Sequence, residues 1–424
     1  MKETGYLIPK ELIQESNKKD IEELKKDYDF VKEKLNKKGF DADEIVEKVK
    51  TFYVALPSWA TSTGGTRFGT FPIGGDPRNV YEKLVDCKTV NTLTGVNNKV
   101  SLHIPWDKVE DINEFNEFKK TLDIGIDAMN SNTFQDQKNQ KYSYKFGSLS
   151  ATDESVRKQA IEHNIECIEI GKKIGSKALS IWIGDGGNFP GQIHFRKSFE
   201  RYINSLKVIY KELPNDWKMF IEHKLFEPAF YSTVLNDWGS SYIAAQILGD
   251  KALCLVDLGH HAPNTNIEMI VSRLIQVGKL AGFHFNDSKY GDDDLDCGSI
   301  NPYQLFLIFN ELVDAEYYKI DGFNPCYMID ESHNVTDPIE SLINSYEEIQ
   351  KAYAKALIID REKLNEYQEK NDALMSLRLL KEAYDFDVTA ILKMARYKSD
   401  GAINPIEVYR KSEYRKKKIN ERNQ

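Results

Sequence analysis

Short apolar runs and longer amphipathic segments alternate through the middle of the chain. The apolar runs are four to six residues long and rich in β-branched and aromatic side chains, which is typical of buried strands. The segments between them carry apolar residues at spacings of three and four, which predicts helices, for example over residues 152–174, 192–213, 267–279 and 302–312. The eight predicted strands span residues 51–56, 100–104, 122–126, 178–183, 219–222, 253–257, 282–285 and 327–330.

The number of predicted strands favours a (β/α)8 barrel, or TIM barrel. Eight strands that alternate with helices match this α/β fold, and a doubly wound open sheet is the nearest competitor. No GxGxxG or GxxxxGKS/T motif follows a predicted strand, which weakens the nucleotide-binding form of that competitor. We therefore expect an N-terminal helical segment over residues 1–50, a catalytic barrel over 51–345 and a C-terminal helical extension over 346–424.

Two segments outside the regular alternation carry further expectations. The loop over residues 57–77 has five glycines and three prolines, so it is a candidate lid or interface element. The final residues, 409–424, are basic, but no partner motif accompanies the charge. We expect a solvated or frayed terminal helix there rather than a nucleic-acid-binding surface.

Charge and hydropathy limit the classes of partner. A net charge of −9 argues against nucleic acid and anionic membranes as general partners. The chain has no apolar run of membrane-spanning length, and its first residues lack the apolar core of a signal peptide. We expect a cytoplasmic protein that acts on a small molecule.

Four consecutive predicted strands end in side chains that can bind a metal: Glu222, Asp257, His284 and Asp330. The alternation of side chains along a strand allows all four to point into the barrel. Three carboxylates gathered in one place repel each other unless a cation lies among them, so the set predicts a metal site. Each carboxylate alone could instead cap the next helix. Carboxylates and imidazoles without thiolates favour Mg, Mn, Co or Zn.

A second set of metal-ligand side chains lies close to the first in the sequence. His260 follows the strand that ends at Asp257, and Asp292 and Asp294 stand two residues apart in an acidic loop. Together they could hold a second, more exposed ion. An acidic loop by itself is more often a solvated turn.

Earlier strands end in side chains suited to a polyhydroxylated ligand. A tryptophan face, here Trp182, stacks on the apolar side of a sugar, and His103 and Lys224 can hydrogen-bond hydroxyl groups or move protons. Asp185 follows Trp182 at the end of the fourth predicted strand. His103 could equally be a core histidine, and Trp182 taken alone would be a core residue.

Two other functions compete with sugar chemistry. A metal-dependent phosphodiesterase or endonuclease can use the same barrel and similar ligands, but it should show a basic groove and usually more histidines among the ligands. This chain has eight histidines in all and a net charge of −9. A non-catalytic sugar-binding protein would not require seven side chains of metal-ligand type.

The chain resembles the L-rhamnose isomerase family of bacterial sugar isomerases over residues 51–343. The resemblance is closer to the broad-specificity branch, which also acts on rare aldoses such as D-allose. It rests on the segments IWIGDGGNFPGQ, FIEHKLFEPAFYSTVLNDWGSSY, VDLGHHAPNTNIE, GFHFNDSKYGDDDLDCGS and YMIDESHNVTDPIE.

This resemblance implies a homotetramer with two divalent metal ions per subunit, Mn²⁺ being favoured over Co²⁺, Mg²⁺ and Zn²⁺. By motif match, the structural ion corresponds to Glu222, Asp257, His284 and Asp330, and the catalytic ion to His260, Asp292 and Asp294, with Glu222 bridging. The substrate-contacting positions correspond to His103, Trp182, Lys224 and, from a neighbouring subunit's loop, Phe68.

The implied reaction is aldose–ketose isomerisation, between L-rhamnose and L-rhamnulose and between D-allose and D-psicose. We expect a direct hydride shift between C1 and C2, with Asp330, Lys224 and His103 as the catalytic residues. In the alternative enediol route, a carboxylate such as Asp330 takes the C2 proton itself. The sequence does not separate the two routes.

Overall fold

Strands and helices alternate through most of the computed structural model, which describes residues 2–96, 99–227 and 231–422. The strands are β1 Leu56–Pro57, β2 Lys99–Ile104, β3 Gly125–Ser131, β4 Ala178–Ile181, β5 Lys218–Glu222, β6 Phe226–Glu227, β7 Tyr231–Ser232, β8 Ala252–Asp257, β9 Leu280–Phe285 and β10 Cys326–Ile329. Short 3₁₀ helices at Ser58–Thr61 and Leu258–His260 follow β1 and β8.

The helices fall into an N-terminal pair, a set that alternates with the strands, and a C-terminal group. They are α1 Lys10–Lys37, α2 Ala42–Thr51, α3 Val80–Thr94, α4 Ile112–Thr121, α5 Glu154–Ile174, α6 Phe195–Glu212, α7 Trp238–Leu248, α8 Ile267–Gln276, α9 Pro302–Tyr317, α10 Pro338–Leu357, α11 Arg361–Glu369, α12 Ala373–Asp385, α13 Thr389–Lys398, α14 Pro405–Lys411 and α15 Tyr414–Arg422. Of these helices, none has both the length and the apolar character needed to cross a membrane.

Eight of the strands form one parallel sheet that follows chain order: β1, β2, β3, β4, β5, β8, β9 and β10. A parallel bridge between Ala55 and Met328 joins its two edges. There the Ala55 N–H donates to the Tyr327 carbonyl at 2.8 Å, and the Ile329 N–H donates to the Ala55 carbonyl at 3.1 Å. The predicted α/β barrel is therefore confirmed. Outside it, β6 and β7 pair as a short antiparallel sheet that the sequence analysis did not predict.

Two of the predicted strands are misplaced. The first was expected over residues 51–56, but α2 continues to Thr51 and β1 begins at Leu56. The third was expected over residues 122–126, but Leu122 caps α4 and Asp123 has a φ of 53° in the turn that follows, so β3 begins only at Gly125. In both cases apolar residues that belong to a helix end or a turn resemble the start of a strand.

The barrel interior shows which side chains point inward. Its small core cluster consists of Ala55, Ala128, Phe220, Leu253, Leu255, Ala281 and Met328. Along β5, β8 and β10, a step of two residues leads from this cluster to Glu222, Asp257 and Asp330. The inner row therefore ends in carboxylates on three strands.

Strand β9 also places a metal-ligand side chain, His284, in the barrel interior, but it does so through a register shift. Ala281 faces the barrel interior, so strict alternation would turn His284 outward. The pairing of β8 with β9 shifts register between Cys254 and Leu255, opposite Gly282, and His284 then faces the interior. Gly282 has a φ of 148°, and a Cβ there would lie 1.8 Å from the Cys326 carbonyl oxygen, so only glycine fits.

The C-terminal helix corrects the expectation of a solvated or frayed terminus. Tyr414, Lys418 and Arg422 on α15 are all buried. The Arg422 guanidinium forms two hydrogen bonds with the Asp86 carboxylate, at 2.8 and 2.9 Å, and donates to the Gly75 carbonyl at 2.6 Å. The charge of this helix therefore anchors it to α3 and to the glycine-rich loop.

Replacing Arg422 should destabilise the protein strongly. The substitution Arg422→Ala leaves Asp86 buried without its main partner, which costs about 3–5 kcal/mol. Arg410→Ala is the matched control because Arg410 pairs with Glu340 while its own side chain is 69% exposed, and we expect little or no loss of stability. Urea denaturation midpoints measure both effects. Equal, small shifts in the two variants would contradict this account of α15.

Candidate active site

Four side chains from successive strands of the sheet meet at the carboxyl end of the barrel. Glu222, Asp257, His284 and Asp330 each offer one ligand atom, and these atoms all lie within 4.8 Å of one another. His284 Nδ1 lies 3.2 Å from Glu222 Oε1, 3.5 Å from Asp330 Oδ2 and 3.8 Å from Asp257 Oδ2. The structure thus brings together the four residues that strand parity had grouped.

Strand pairing sets the common depth of these side chains. Asp257 is the register partner of His284 in the pairing of β8 with β9. The Asp330 N–H donates to the Phe285 carbonyl at 2.9 Å, which ties the residue after β10 to the end of β9. Because neighbouring strands end at the same level, their last inward side chains converge on one volume.

Burial and like charge shift the pKa values of this group apart. Burial raises the pKa of Asp257 to about 6, with a further contribution from Glu222, and burial also raises the pKa of Asp330. Burial alone would raise the pKa of Glu222, but the charges of His284 and His260 outweigh it and hold that pKa below its usual range. Burial lowers the pKa of His284, yet Glu222 outweighs burial and the pKa rises to about 9. The carboxylates thus require positive charge among them.

The second predicted group lies against the first. His260 Nδ1 is 3.1 Å from Glu222 Oε1, and His260 Nε2 is 3.2 Å from Asp292 Oδ1. Glu222 therefore touches both groups, as a bridging residue would. Asp294 is buried and lines the same cavity as His260.

Arg67, which the sequence analysis did not select, interacts with the second group. Its guanidinium donates to both oxygens of Asp292 at 3.0 Å and lies 3.7 Å from Asp294 Oδ2. Lys224 Nζ approaches Asp292 Oδ2 at 2.6 Å and Glu227 Oε2 at 2.9 Å. Burial would raise the pKa of Asp292, but His260, Arg67 and Lys224 outweigh burial and lower it.

Aromatic rings surround His103 on the opposite wall of the cavity. The imidazole of His103 makes edge contacts with Trp59, Trp106 and Phe134, at ring-centroid distances of 5.4, 4.9 and 5.6 Å. Burial lowers the pKa of His103 to about 3, so the ring is neutral near pH 7. The Nδ1 atom of His103 is buried and has no hydrogen-bond partner among the described residues. A neutral imidazole in this position can donate to or accept from a ligand hydroxyl.

The remaining predicted residues lie in different settings. Trp182 lines the cavity, with Lys224 Nζ 4.7 Å and the Arg67 guanidinium 5.2 Å from its ring centre. Phe68 is half-buried and packs against Arg67 of its own chain. Asp185 accepts hydrogen bonds from the backbone and hydroxyl groups of Ser148 and Ser150, so it holds a loop instead of facing the cavity.

Comparisons with known proteins identify the family of this chain. The model of the family L-rhamnose isomerase (RhaA) matches residues 97–422. Probable sugar isomerases of Mesorhizobium japonicum and Rhizobium meliloti are each 58% identical to this chain over 416 residues, which cover 98% of this chain and 96% and 97% of those proteins. The L-rhamnose isomerase of Bacteroides thetaiotaomicron is 23% identical over 403 residues, covering 86% of this chain and 90% of that protein.

Solved structures give the same fold at lower sequence similarity. A structure of L-ribulose 3-epimerase superposes with a TM-score of 0.54 and 14% sequence identity, over 74% of this chain and 97% of that one. The family match covers most of the chain, and two relatives exceed half identity over nearly its whole length. This chain belongs to the L-rhamnose isomerase family and is a sugar isomerase.

Proposed function

We propose that this enzyme interconverts L-rhamnose and L-rhamnulose and also acts on D-allose, D-psicose and related rare sugars. The observation that carries the proposal is the convergence of Glu222, Asp257, His284 and Asp330 within 4.8 Å beside a cavity lined by aromatic and polar side chains. Relatives named L-rhamnose isomerase are 23% identical, whereas the relatives at 58% identity are named only as probable sugar isomerases. The choice of sugar is therefore part of the proposal.

Two divalent ions fit the side chains present. Glu222, Asp257, His284 and Asp330 would hold one ion, and His260, Asp292 and Asp294 would hold the second, with Glu222 shared. The donor set supports this assignment, because carboxylate oxygens and imidazole nitrogens without thiolates suit Mn²⁺, and also Co²⁺, Mg²⁺ and Zn²⁺. The raised pKa values of Asp257 and Asp330 also support it. Burial and neighbouring negative charge disfavour the ionised carboxylates, and a bound cation would offset both effects.

The bound ions would supply Lewis acidity that polarises the sugar carbonyl and stabilises negative charge on oxygen. The chain's own residues position the sugar. His103, neutral and held by aromatic rings, can bind a ring or chain oxygen, and the Trp182 face can pack against the carbon backbone of the sugar. Lys224, buried and paired with Asp292, can donate to a hydroxyl.

Asp330 is the residue at which the two candidate routes differ. Its Oδ1 accepts a hydrogen bond from Trp59 Nε1 at 2.7 Å, which fixes the carboxylate at the cavity wall. In the hydride-shift route that we favour, hydrogen passes directly between C1 and C2, and Asp330 or Lys224 guides the hydroxyl proton. In the enediol route, Asp330 would itself take the proton from C2.

We infer that the Arg67 side chain moves when the sugar enters. The cavity has a free volume of about 50 Å³, which is small for a six-carbon sugar. Arg67 lines this cavity and lies on a loop with positive-φ glycines at 64 and 65. We therefore infer that the loop over residues 57–77 opens for the sugar.

We also propose a homotetramer in which Phe68 reaches a neighbouring subunit's pocket. Phe71 on the same loop is 70% exposed, and Phe146 and Phe189, on loops after β3 and β4, are 84% and 57% exposed. Large exposed aromatics on loops near the pocket favour coverage by a partner. We also propose that the chain is organised as an N-terminal helical segment over residues 1–50, a catalytic barrel over 51–345 and a C-terminal helical extension over 346–424.

A ketose assay tests the proposed reaction. Mn²⁺-loaded enzyme offered L-rhamnose, D-allose, D-xylose and D-glucose should form ketose fastest from the first two. We expect this difference in rate because the side chains of the cavity wall contact the sugar beyond C1 and C2 and so distinguish one sugar from another. No product from any of the four sugars, with Mn²⁺ bound, would contradict the proposed function.

A solvent-isotope experiment separates the two routes. With enzyme acting on L-rhamnose in deuterated water, the hydride shift should leave C1 of the ketose almost free of deuterium, because the hydrogen never exchanges with solvent. The measurement is the NMR spectrum or mass of the isolated ketose, with a non-enzymatic incubation as the control for exchange. Substantial deuterium at C1 would favour the enediol route.

A further inference from the structure

The chain segment after β10 presents its side chains alternately to two sides. Asp330 and Ser332 line the barrel cavity. Glu331 and His333, which are 0% and 2% exposed, face the other side, where they meet Asp296. One extended segment therefore contributes to two separate clusters of metal-ligand side chains.

The geometry of the outer cluster suits a single small cation. His333 Nδ1 lies 3.4 Å from Asp296 Oδ1, and His333 Nε2 lies 3.8 Å from Glu331 Oε2. One ligand atom from each residue lies within 4.8 Å of the other two. Ligand atoms around an ion with bonds of about 2.0–2.2 Å lie roughly 3–3.5 Å apart. Because one ion binds only one of the two imidazole nitrogens of His333, the three side chains must move closer together when the ion binds.

Two buried polar atoms point to a ligand in this cluster. Glu331 Oε2 and His333 Nε2 have no hydrogen-bond partner within the described parts of the chain. The other carboxylate oxygen of Glu331 accepts from the Cys297 N–H at 2.9 Å, which holds the side chain in place. Leaving such atoms unpaired in the interior is unfavourable, and a cation would satisfy both at once.

We propose that Asp296, Glu331 and His333 bind a divalent cation of the Zn²⁺, Co²⁺ or Mn²⁺ class, at a site separate from the barrel centre. One imidazole nitrogen with two carboxylates is a ligand set typical of these ions, whereas Ca²⁺ and Mg²⁺ take oxygen ligands. The Asp296 side chain is 24% exposed, so water can complete the coordination and the ion can enter from that side.

The cation would fasten the acidic loop to the end of β10. Asp292 and Asp294 in that loop have φ values of 56° and 50°, a conformation that is costly for residues with a Cβ and needs support. One support is present, because the Ser332 N–H donates to the Asp294 carbonyl at 3.1 Å. The Cys297 N–H to Glu331 hydrogen bond is another, and a cation between Asp296 and Glu331 would add to both. This role, unlike the binding itself, rests on the proposed function, in which Asp292 and Asp294 are ligands.

Metal counting on variants tests the site. Metal-stripped full-length protein is dialysed against Co²⁺, and bound cobalt per chain is measured by mass spectrometry. Glu331→Gln and Asp296→Asn should each bind one ion fewer than the wild type. Glu348→Gln is the matched control, since Glu348 is also 24% exposed and lies on the neighbouring α10 but outside the cluster, and it should bind the wild-type number. Equal cobalt content in all four proteins would overturn the proposal.

Diffraction from wild-type crystals grown with Co²⁺ keeps the proposal testable if a variant fails to fold. An anomalous peak between Asp296, Glu331 and His333 supports it. A peak at the barrel centre with none here overturns it. A peak here with none among Glu222, Asp257 and His284 supports this site and contradicts the proposed function, so the two failures are distinguishable.

Discussion

The repulsion among carboxylates at the carboxyl end of the barrel, two of them buried and one half-buried, is the constraint on which the site depends. Glu222, Asp257 and Asp330 share one small volume with His284, and each is held there by a different strand. Burial removes the solvent that would screen three negative charges. The fold can keep these side chains ionised only by bringing positive charge to them. Where a bound metal ion supplies that charge, the same ion would supply a Lewis acid.

Neighbouring residues orient these metal-ligand side chains through hydrogen bonds that do not depend on a bound ion or sugar. The Asn286 amide donates to both oxygens of Asp257, and the Gly259 N–H donates to one of them. The Trp59 indole does the same for Asp330. The register shift opposite Gly282 turns His284 inward, so a backbone irregularity is part of the ligand geometry. Partners of this kind orient ligands and tune the charge they carry.

Part of this arrangement could be predicted from the sequence, and the division has physical reasons. Glu222, Asp257 and Asp330 continue the inward row of regular strands, so parity alone groups them. His284 was grouped with them, but the register shift that turns His284 inward has no recognisable signature in the sequence. Arg67 could not be found, because it sits in a long glycine-rich loop whose path no periodicity constrains.

The misplaced elements have the same kind of cause. Apolar residues at Leu122 and Ile124 cap a helix and cross a turn, yet they resemble a strand. The basic C-terminal run resembles a solvated helix, although Arg422 is buried against Asp86.

The central claim is that turnover depends on a divalent ion bound by the four barrel residues. Its most direct test measures bound Mn²⁺ and ketose formation together, in metal-stripped wild type titrated with Mn²⁺ and in Asp330→Asn. Turnover should rise with bound Mn²⁺ in the wild type and be abolished in the variant. Near-normal activity of Asp330→Asn with full metal content, or turnover by fully stripped enzyme, would contradict the account.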